Sequence, residues 1–268
     1  HNLSFVEDPS RIFRAVRLEQ RMGFQISPHT KRLITNAVSM KLFGKSEDPR
    51  FLSELKIIFS EENPLPAIQR LSEFDLFQFI WPDLRPHYEI DRRFTHILTQ
   101  AQLAISWFSL LYLDEPCRNW VVYLLAIMSR SRAEELSAFC TRFAETAKLA
   151  EYLLDQKDRV EKAVNQLSRE NNHKNSKIVA CFEEITIEGL LYMMAIARKN
   201  HVRKAISLYV TSLRHVEASL SGNELKKMGY KPGPQFKKIL MYLKNIRLDN
   251  LELSPEEAAV LVKKKFPR

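Results

Sequence analysis

Five times along this chain a residue that caps helices stands directly before proline: Asp8-Pro9, Ser27-Pro28, Asp48-Pro49, Asn63-Pro64 and Ser254-Pro255. The cap's side-chain oxygen takes an orphan amide of the first turn. Proline at the next position loses nothing, because its missing N–H would have been unpaired there. Each pair therefore marks a helix start, and Glu257 after Ser254 completes a capping box. Residues 51–59, 89–111, 133–143, 147–167, 187–199 and 202–216 place apolar side chains three and four apart, the spacing of a helix buried on one face. No run alternates in the manner of a strand. The pattern predicts an all-α, elongated, multi-helical chain.

With 268 residues and 45% hydrophobic content, the sequence has enough apolar matter for one large core or two to three helical modules. It has six glycines, none in a G-x-G or G-x-x-x-x-G-K arrangement, which excludes a dinucleotide fingerprint and a P-loop. Cys117, Cys140 and Cys181 are odd in number and lack C-x-x-C spacing, so they read as buried thiols in a reducing, cytoplasmic setting, without a metal site. The longest apolar stretches, 103–113 and 120–128, are too short to span a bilayer and predict a buried helical hairpin, with no membrane partner. No signal peptide is visible and residue 1 is histidine rather than methionine, which reads as a piece of a longer chain.

The net charge of +9 is uneven: residues 1–50 carry +4, residues 51–220 carry −1 and residues 221–268 carry +6. Two basic ends fit an extended anion such as a nucleic acid, and equally fit plain solubilising charge. The N-terminal end holds the more informative pattern. Glu7 and Asp8 are followed by Arg11, Arg14, Arg17 and Arg21, on a helix predicted to run from Pro9 to a stop at Gly23. At about 100° per residue the arginines share one sector while Ile12, Phe13 and Val16 point away, which predicts an apolar face and a strongly cationic one. Two roles for Asp8 and Arg11 are open. They form a cap with its i,i+3 ion pair, or a carboxylate accepting from a nucleobase amino group beside a guanidinium donating to ring acceptors. Cytosine and adenine have that amino group, whereas uracil and guanine present a carbonyl instead.

The segment Leu3-Ser4-Phe5-Val6-Glu7-Asp8-Pro9-Ser10-Arg11-Ile12-Phe13-Arg14-Ala15-Val16-Arg17, continuing through Arg21-Met22-Gly23-Phe24-Gln25-Ile26, resembles the E-D-x-x-R signature of class II nucleotidyltransferases. That family comprises the bacterial tRNA nucleotidyltransferases and poly(A) polymerases. The resemblance implies that Asp8 and Arg11 template the incoming CTP or ATP base, that Glu7 supports the site, and that Arg14 and Arg17 orient the template and the triphosphate. Phe13 and Leu18 depart from the commoner choices at their positions without touching that logic.

A second stretch, Leu220-Ser221-Gly222-Asn223-Glu224-Leu225, then Met228 to Phe236 and Ile239-Leu240, is similar to the tail of bacterial tRNA nucleotidyltransferases, where the family contacts tRNA. Glu224 stands where aspartate is commoner. Ser221 is predicted to cap a short helix that Gly229 ends, and Pro232-Gly233-Pro234 to open another, whose amides with Lys231, Gly233, Lys237 and Lys238 can hold phosphate. A plain structural turn is the alternative. Read without the resemblance, residues 225–240 also fit a sequence-blind helix-hairpin-helix binder with no enzymatic parent.

The resemblance further implies a catalytic head with a G-S turn, a D-x-D carboxylate pair for Mg²⁺ and an R-R-D ribose motif. None occurs here; Asp91-Arg92-Arg93 has the reverse order. No catalytic residue is therefore assigned to this chain, and the head is expected as a missing N-terminal partner. No histidine is followed by aspartate, which excludes a His-Asp phosphohydrolase motif. The implied organisation is a neck at 1–82, a helical body at 83–218 and a tail at 219–268, with tRNA and the incoming nucleotide as partners. Activity by a poly(A) polymerase is the alternative within the family.

Overall fold

The computed structural model describes residues 4–40, 50–77, 90–143, 146–249 and 254–267. Among the described residues there are helices and turns and no strand, as the periodicity predicts. In chain order the helices are α1 (Ser4–Glu7), α2 (Ser10–Met22), α3 (Pro28–Ser39), α4 (Arg50–Phe59), α5 (Leu65–Glu73), α6 (Arg92–Ser109), α7 (Asn119–Ile127) and α8 (Ala133–Phe143). They continue with α9 (Ala147–Leu167), α10 (Asn175–Phe182), α11 (Ile187–Ile196), α12 (Asn200–Thr211), α13 (Gly222–Lys227), α14 (Pro234–Asp249) and α15 (Pro255–Lys265).

The capping signals hold in two of the four described cases and shift in two. Ser27 Oγ accepts from Thr30 N at 3.1 Å, and Ser254 and Glu257 form the reciprocal box. At Asp8-Pro9, α2 begins at Ser10, one residue later than predicted, because a short turn (α1) precedes it; the Asp8 carboxylate still accepts from Ser10 N at 3.2 Å. At Asn63-Pro64 the helix likewise starts late, at Leu65, and the Asn63 side chain instead accepts from Gln102 at 3.2 Å. Asp48-Pro49 lies outside the described residues.

The chain divides into two compact units, His1–Glu161 with Thr186–Ile196, and Lys162–Ile185 with Ala197–Arg268. In the first, α7 and α11 are buried along nearly their whole length, from Val121 to Ile127 and from Ile187 to Met193, and α11 packs on α6 and α7. Helices with no polar face are core helices. Around them α2, α4 and α5 each bury one stripe, and Phe13, Phe51 and Phe143 meet edge to face at 5.2 and 6.2 Å. Buried Glu188, on the first turn of α11, accepts from Arg118 Nε at 2.8 Å, Arg118 N at 3.3 Å and the Tyr152 hydroxyl at 3.0 Å. A buried carboxylate needs such partners.

The buried hairpin expected over 103–113 and 120–128 is half right. α7 is buried, but Leu103, Leu110 and Tyr112 are exposed, Tyr112 by 88%, because Leu103 lies off the face of α6 that buries Ala101, Ala104 and Phe108, and Leu110 and Tyr112 follow the helix end. The helix predicted over 187–199 stops at Ile196, and that over 202–216 ends at Thr211 in a 3₁₀ turn. Of the three thiols only Cys140 is buried; Cys117 and Cys181 are partly covered.

In the second unit α10 packs on α12 and α14, and α14 packs on α13 and α15. Leu220, Leu225, Tyr230, Ile239, Leu243, Ala258 and Val262 form the apolar cluster beneath the tail helices. The Tyr230 hydroxyl donates to the Phe266 carbonyl at 2.8 Å, fixing the end of α15.

Candidate nucleotide-selecting site and basic tail

The start of α2 sets Asp8 and Arg11 side by side. Arg11 Nε lies 3.5 Å from Asp8 Oδ2, and Arg11 Nη1 donates to Ser4 Oγ at 2.6 Å across the short α1 turn. Arg50, opening α4, donates from Nη1 to the same Asp8 oxygen at 2.9 Å. Asp8 Oδ1 is taken by Ser10, through its amide at 3.2 Å and its hydroxyl at 2.6 Å. Arg11 remains half-exposed and Asp8 partly so, which leaves the pair an edge open to solvent. Glu7 is exposed beside it. A carboxylate oxygen at that edge can accept from an amino group.

The arginine ladder is not the free cationic face expected from its spacing. Buried Glu54 of α4 accepts from Arg14 Nε at 2.9 Å and from Arg17 Nε at 3.2 Å, and Arg21 reaches Glu61 at 3.8 Å. Arg17 is largely withdrawn from water. The reason is the packing of α2 on α4, which gives the arginine side a neighbour as the apolar side has one. Arg14 stays mostly exposed with further donors. Below them Glu19, on the buried side of α2, accepts from Arg70 Nε at 2.8 Å and Nη2 at 3.1 Å and from Ile26 N at 2.8 Å. Burial opposes the charge on Glu19, yet these donors prevail and hold its carboxyl below the usual value. This pins the chain just after Gly23, whose φ of 65° closes α2.

Glu54, Arg50, Ser4 and Ser10 were not singled out from sequence. Glu54 carried a signal: it stands three residues after Phe51 and four before Ile58, a lone acid on the face that α4 buries. The Ser4 and Ser10 contacts carried none, since each depends on the turn made by α1.

In the second unit Ser221 and Glu224 form a reciprocal capping box, so the glutamate serves the fold as a cap. Gly229 adopts φ 88° at the end of α13. A Cβ on Gly222 would stand 3.3 Å from the Phe236 ring, so glycine lets α13 and α14 close on each other. Lys231, Gly233, Lys237 and Lys238 are all exposed. At the start of α14 the amides of Phe236 and Lys237 are bonded to the Gly233 carbonyl at 3.0 and 3.3 Å. The Asp8–Arg11 set lies in the first unit and the lysine set in the second.

The family model described as the probable RNA and SrmB-binding site of polymerase A matches residues 23–87. An A-adding tRNA nucleotidyltransferase of Geobacter sulfurreducens is 40% identical over 253 residues, which cover 93% of this chain. The match spans 28% of that relative's length. The CCA-adding enzyme of Thermotoga maritima, solved in complex with tRNA, superposes with a TM-score of 0.81 over 98% of this chain and 62% of that one, at 23% identity. A CCA-adding enzyme in complex with CTP gives 0.79 over 100% and 62%, at 24% identity. At those identities the likeness is one of fold. Nearly the whole chain is thus similar to a part of A-adding tRNA nucleotidyltransferases, and its all-helical fold is that of part of the CCA-adding enzymes.

Proposed function

We propose that this chain is the nucleotide-selecting and tRNA-binding part of a tRNA nucleotidyltransferase that adds C, A or both to the tRNA 3′ end. The observation that carries the reading is the solvent-facing pair of Asp8 and Arg11, held 3.5 Å apart at the head of α2. Asp8 accepts from the exocyclic amino group of adenine or cytosine while Arg11 donates to the adjacent ring acceptor. A carbonyl there would set one acceptor against another with no proton between them, so UTP and GTP are rejected. Arg14 and Arg17, braced by Glu54, carry positive charge toward the triphosphate, with Glu7 supporting the pair. The 40% identity to an A-adding relative supports this reading, and the description of the matched family model keeps poly(A) synthesis as the second one.

Residues 1–82 then serve as neck, 83–218 as body and 219–268 as the tail that grips tRNA through Lys231, Gly233, Lys237 and Lys238. Such a grip reads backbone charge and shape, the usual way of binding an RNA duplex. Mg²⁺ is proposed to be held by a catalytic head elsewhere in the parent protein, because phosphoryl transfer of this kind needs carboxylate-held metal to align the attacking hydroxyl and neutralise the triphosphate. Among the described residues no helix is long and apolar enough to cross a membrane, and a cytoplasmic site of action is proposed.

Mixing the 268-residue chain with tRNA and labelled ATP or CTP is expected to give binding of tRNA and no incorporation; turnover by the chain alone overturns the assignment of catalysis to a separate head. Titration at several salt concentrations separates tRNA recognition from sequence-blind binding. Equal affinity and equal salt slope for tRNA and a random DNA duplex would favour a helix-hairpin-helix module over the enzyme reading.

A further inference from the structure

A carboxylate selects a base only if the right oxygen points the right way. The terminal torsion of aspartate is broad, so a free Asp8 side chain would present its oxygens over a wide arc. In this structure the two oxygens have different partners. Oδ1 receives two donors from one residue, the Ser10 hydroxyl at 2.6 Å and the Ser10 amide at 3.2 Å. Oδ2 faces Arg11 Nε at 3.5 Å and Arg50 Nη1 at 2.9 Å. Ser10 is the first residue of α2 and only 2% exposed, so its hydroxyl has little water to turn toward. Two donors converging on one oxygen fix the plane of the carboxylate. The oxygen left beside the Arg11 guanidinium, at the solvent-facing edge, is then always Oδ2.

We propose that Ser10 is a positioning residue for base selection: its hydroxyl fixes the Asp8 carboxylate plane, so that Oδ2 and the Arg11 guanidinium stand in register for the amino group and ring acceptor of one base. The proposal rests on the reading of Asp8 and Arg11 as a base template. Without the hydroxyl the carboxylate keeps its place but turns about Cβ–Cγ toward the two arginines. Discrimination then falls while the fold persists.

The test uses the full-length parent protein, with tRNA lacking its 3′-terminal nucleotides and each of ATP, CTP, GTP and UTP. The readout is the kcat/KM ratio of the accepted nucleotide to its rejected counterparts, with thermal unfolding recorded in parallel. Ser10→Ala is expected to lower that ratio about tenfold, the loss of one hydrogen bond to a charged group. Ser10→Thr, which keeps the hydroxyl, restores it, and Asp8→Ala abolishes it. Loss of discrimination in Asp8→Ala with none in Ser10→Ala overturns the role of Ser10 and leaves the template standing. A loss in Ser10→Ala that Ser10→Thr does not reverse also overturns it, as a packing effect. Unchanged discrimination in Asp8→Ala removes the template reading itself.

Discussion

Arg17 Nε lies 3.2 Å from Glu54 Oε2, with both side chains largely withdrawn from water. Removing one member of such a pair strands a charge that cannot recover its hydration. Glu54→Ala is expected to cost about 2–4 kcal/mol in the first unit, below the full cost of a buried pair because Arg14, the second partner, is mostly exposed. Adding Arg17→Met to Glu54→Ala should recover part of the loss, since no charge is then left unpaired. Urea unfolding followed by tryptophan fluorescence checks this. Trp120 is a suitable reporter, because Lys56 of α4 lies 4.8 Å above its ring. A loss below about 0.5 kcal/mol would make Glu54 an ordinary surface acid.

How much of this was legible beforehand differs between the fold and the site. Helix existence was readable because each signal is local: Ser27, Ser254 and Ser221 cap in the structure as their spacing says, and α8 and α9 match the predicted ranges residue for residue. The fate of the arginines was not. Periodicity puts Arg14 and Arg17 on one side of α2, but whether that side meets water or another helix depends on Glu54, 37 residues beyond Arg17. The same limit hid the exposure of Leu103 and Leu110, which look like core by type but stand 56% and 68% exposed among the described residues. At the site, the roles of Asp8 and Arg11 came from the motif, while the partners that hold them, Ser4, Ser10 and Arg50, needed the turn and the neighbouring helix.

Acid should destabilise the first unit through two buried glutamates. Burial raises the cost of charging Glu188, but Arg118 and Tyr152 outweigh it and hold its carboxyl below the usual value, as Arg70 and Ile26 do for Glu19. A folded-state value below that of the unfolded chain means the unfolded state binds protons first as pH falls. The stabilisation is therefore complete above the ordinary glutamate value of about 4.3 and is lost as pH drops through the lower folded-state values. Melting temperature should be flat near neutrality and fall below about pH 4.5. Glu188→Gln should be less stable at pH 7 and show a shallower fall in acid. Wild-type and variant curves that stay parallel down to pH 3 would exclude Glu188 as a source of the acid sensitivity.

The three thiols should be slow nucleophiles. Burial pushes Cys140 up to about 11, and burial with the nearby carboxylates of Glu188 and Glu115 pushes Cys117 up to about 12. Burial raises Cys181 too, with Lys177 working against it. Since the thiolate is the reactive form, iodoacetamide at pH 8 should label the native chain far more slowly than the urea-unfolded one, with Cys181 first. Mass spectrometry of peptides after timed quenching gives the order. Rapid native labelling of Cys140 would show that α8 opens locally.

Lys237 and Lys238 are exposed and should act on a polyanion through their charge. Each lysine that meets a phosphate releases about one counterion on binding, so removing it should lower the slope of log affinity against log salt by about 1 as well as weaken binding. Lys237→Ala and Lys238→Ala are expected to do so individually for tRNA, and to add in the double variant if the two lysines meet different phosphates. Neither belongs to the apolar cluster of Leu225, Ile239 and Leu243, so the helices should melt at an unchanged temperature. A Gly222→Ala variant supplies the contrast. It crowds the Phe236 ring and should lower the melting temperature, changing affinity with little change of slope. If the lysine variants bind with the wild-type slope, these side chains are solvated surface and the proposed tRNA grip through them is wrong.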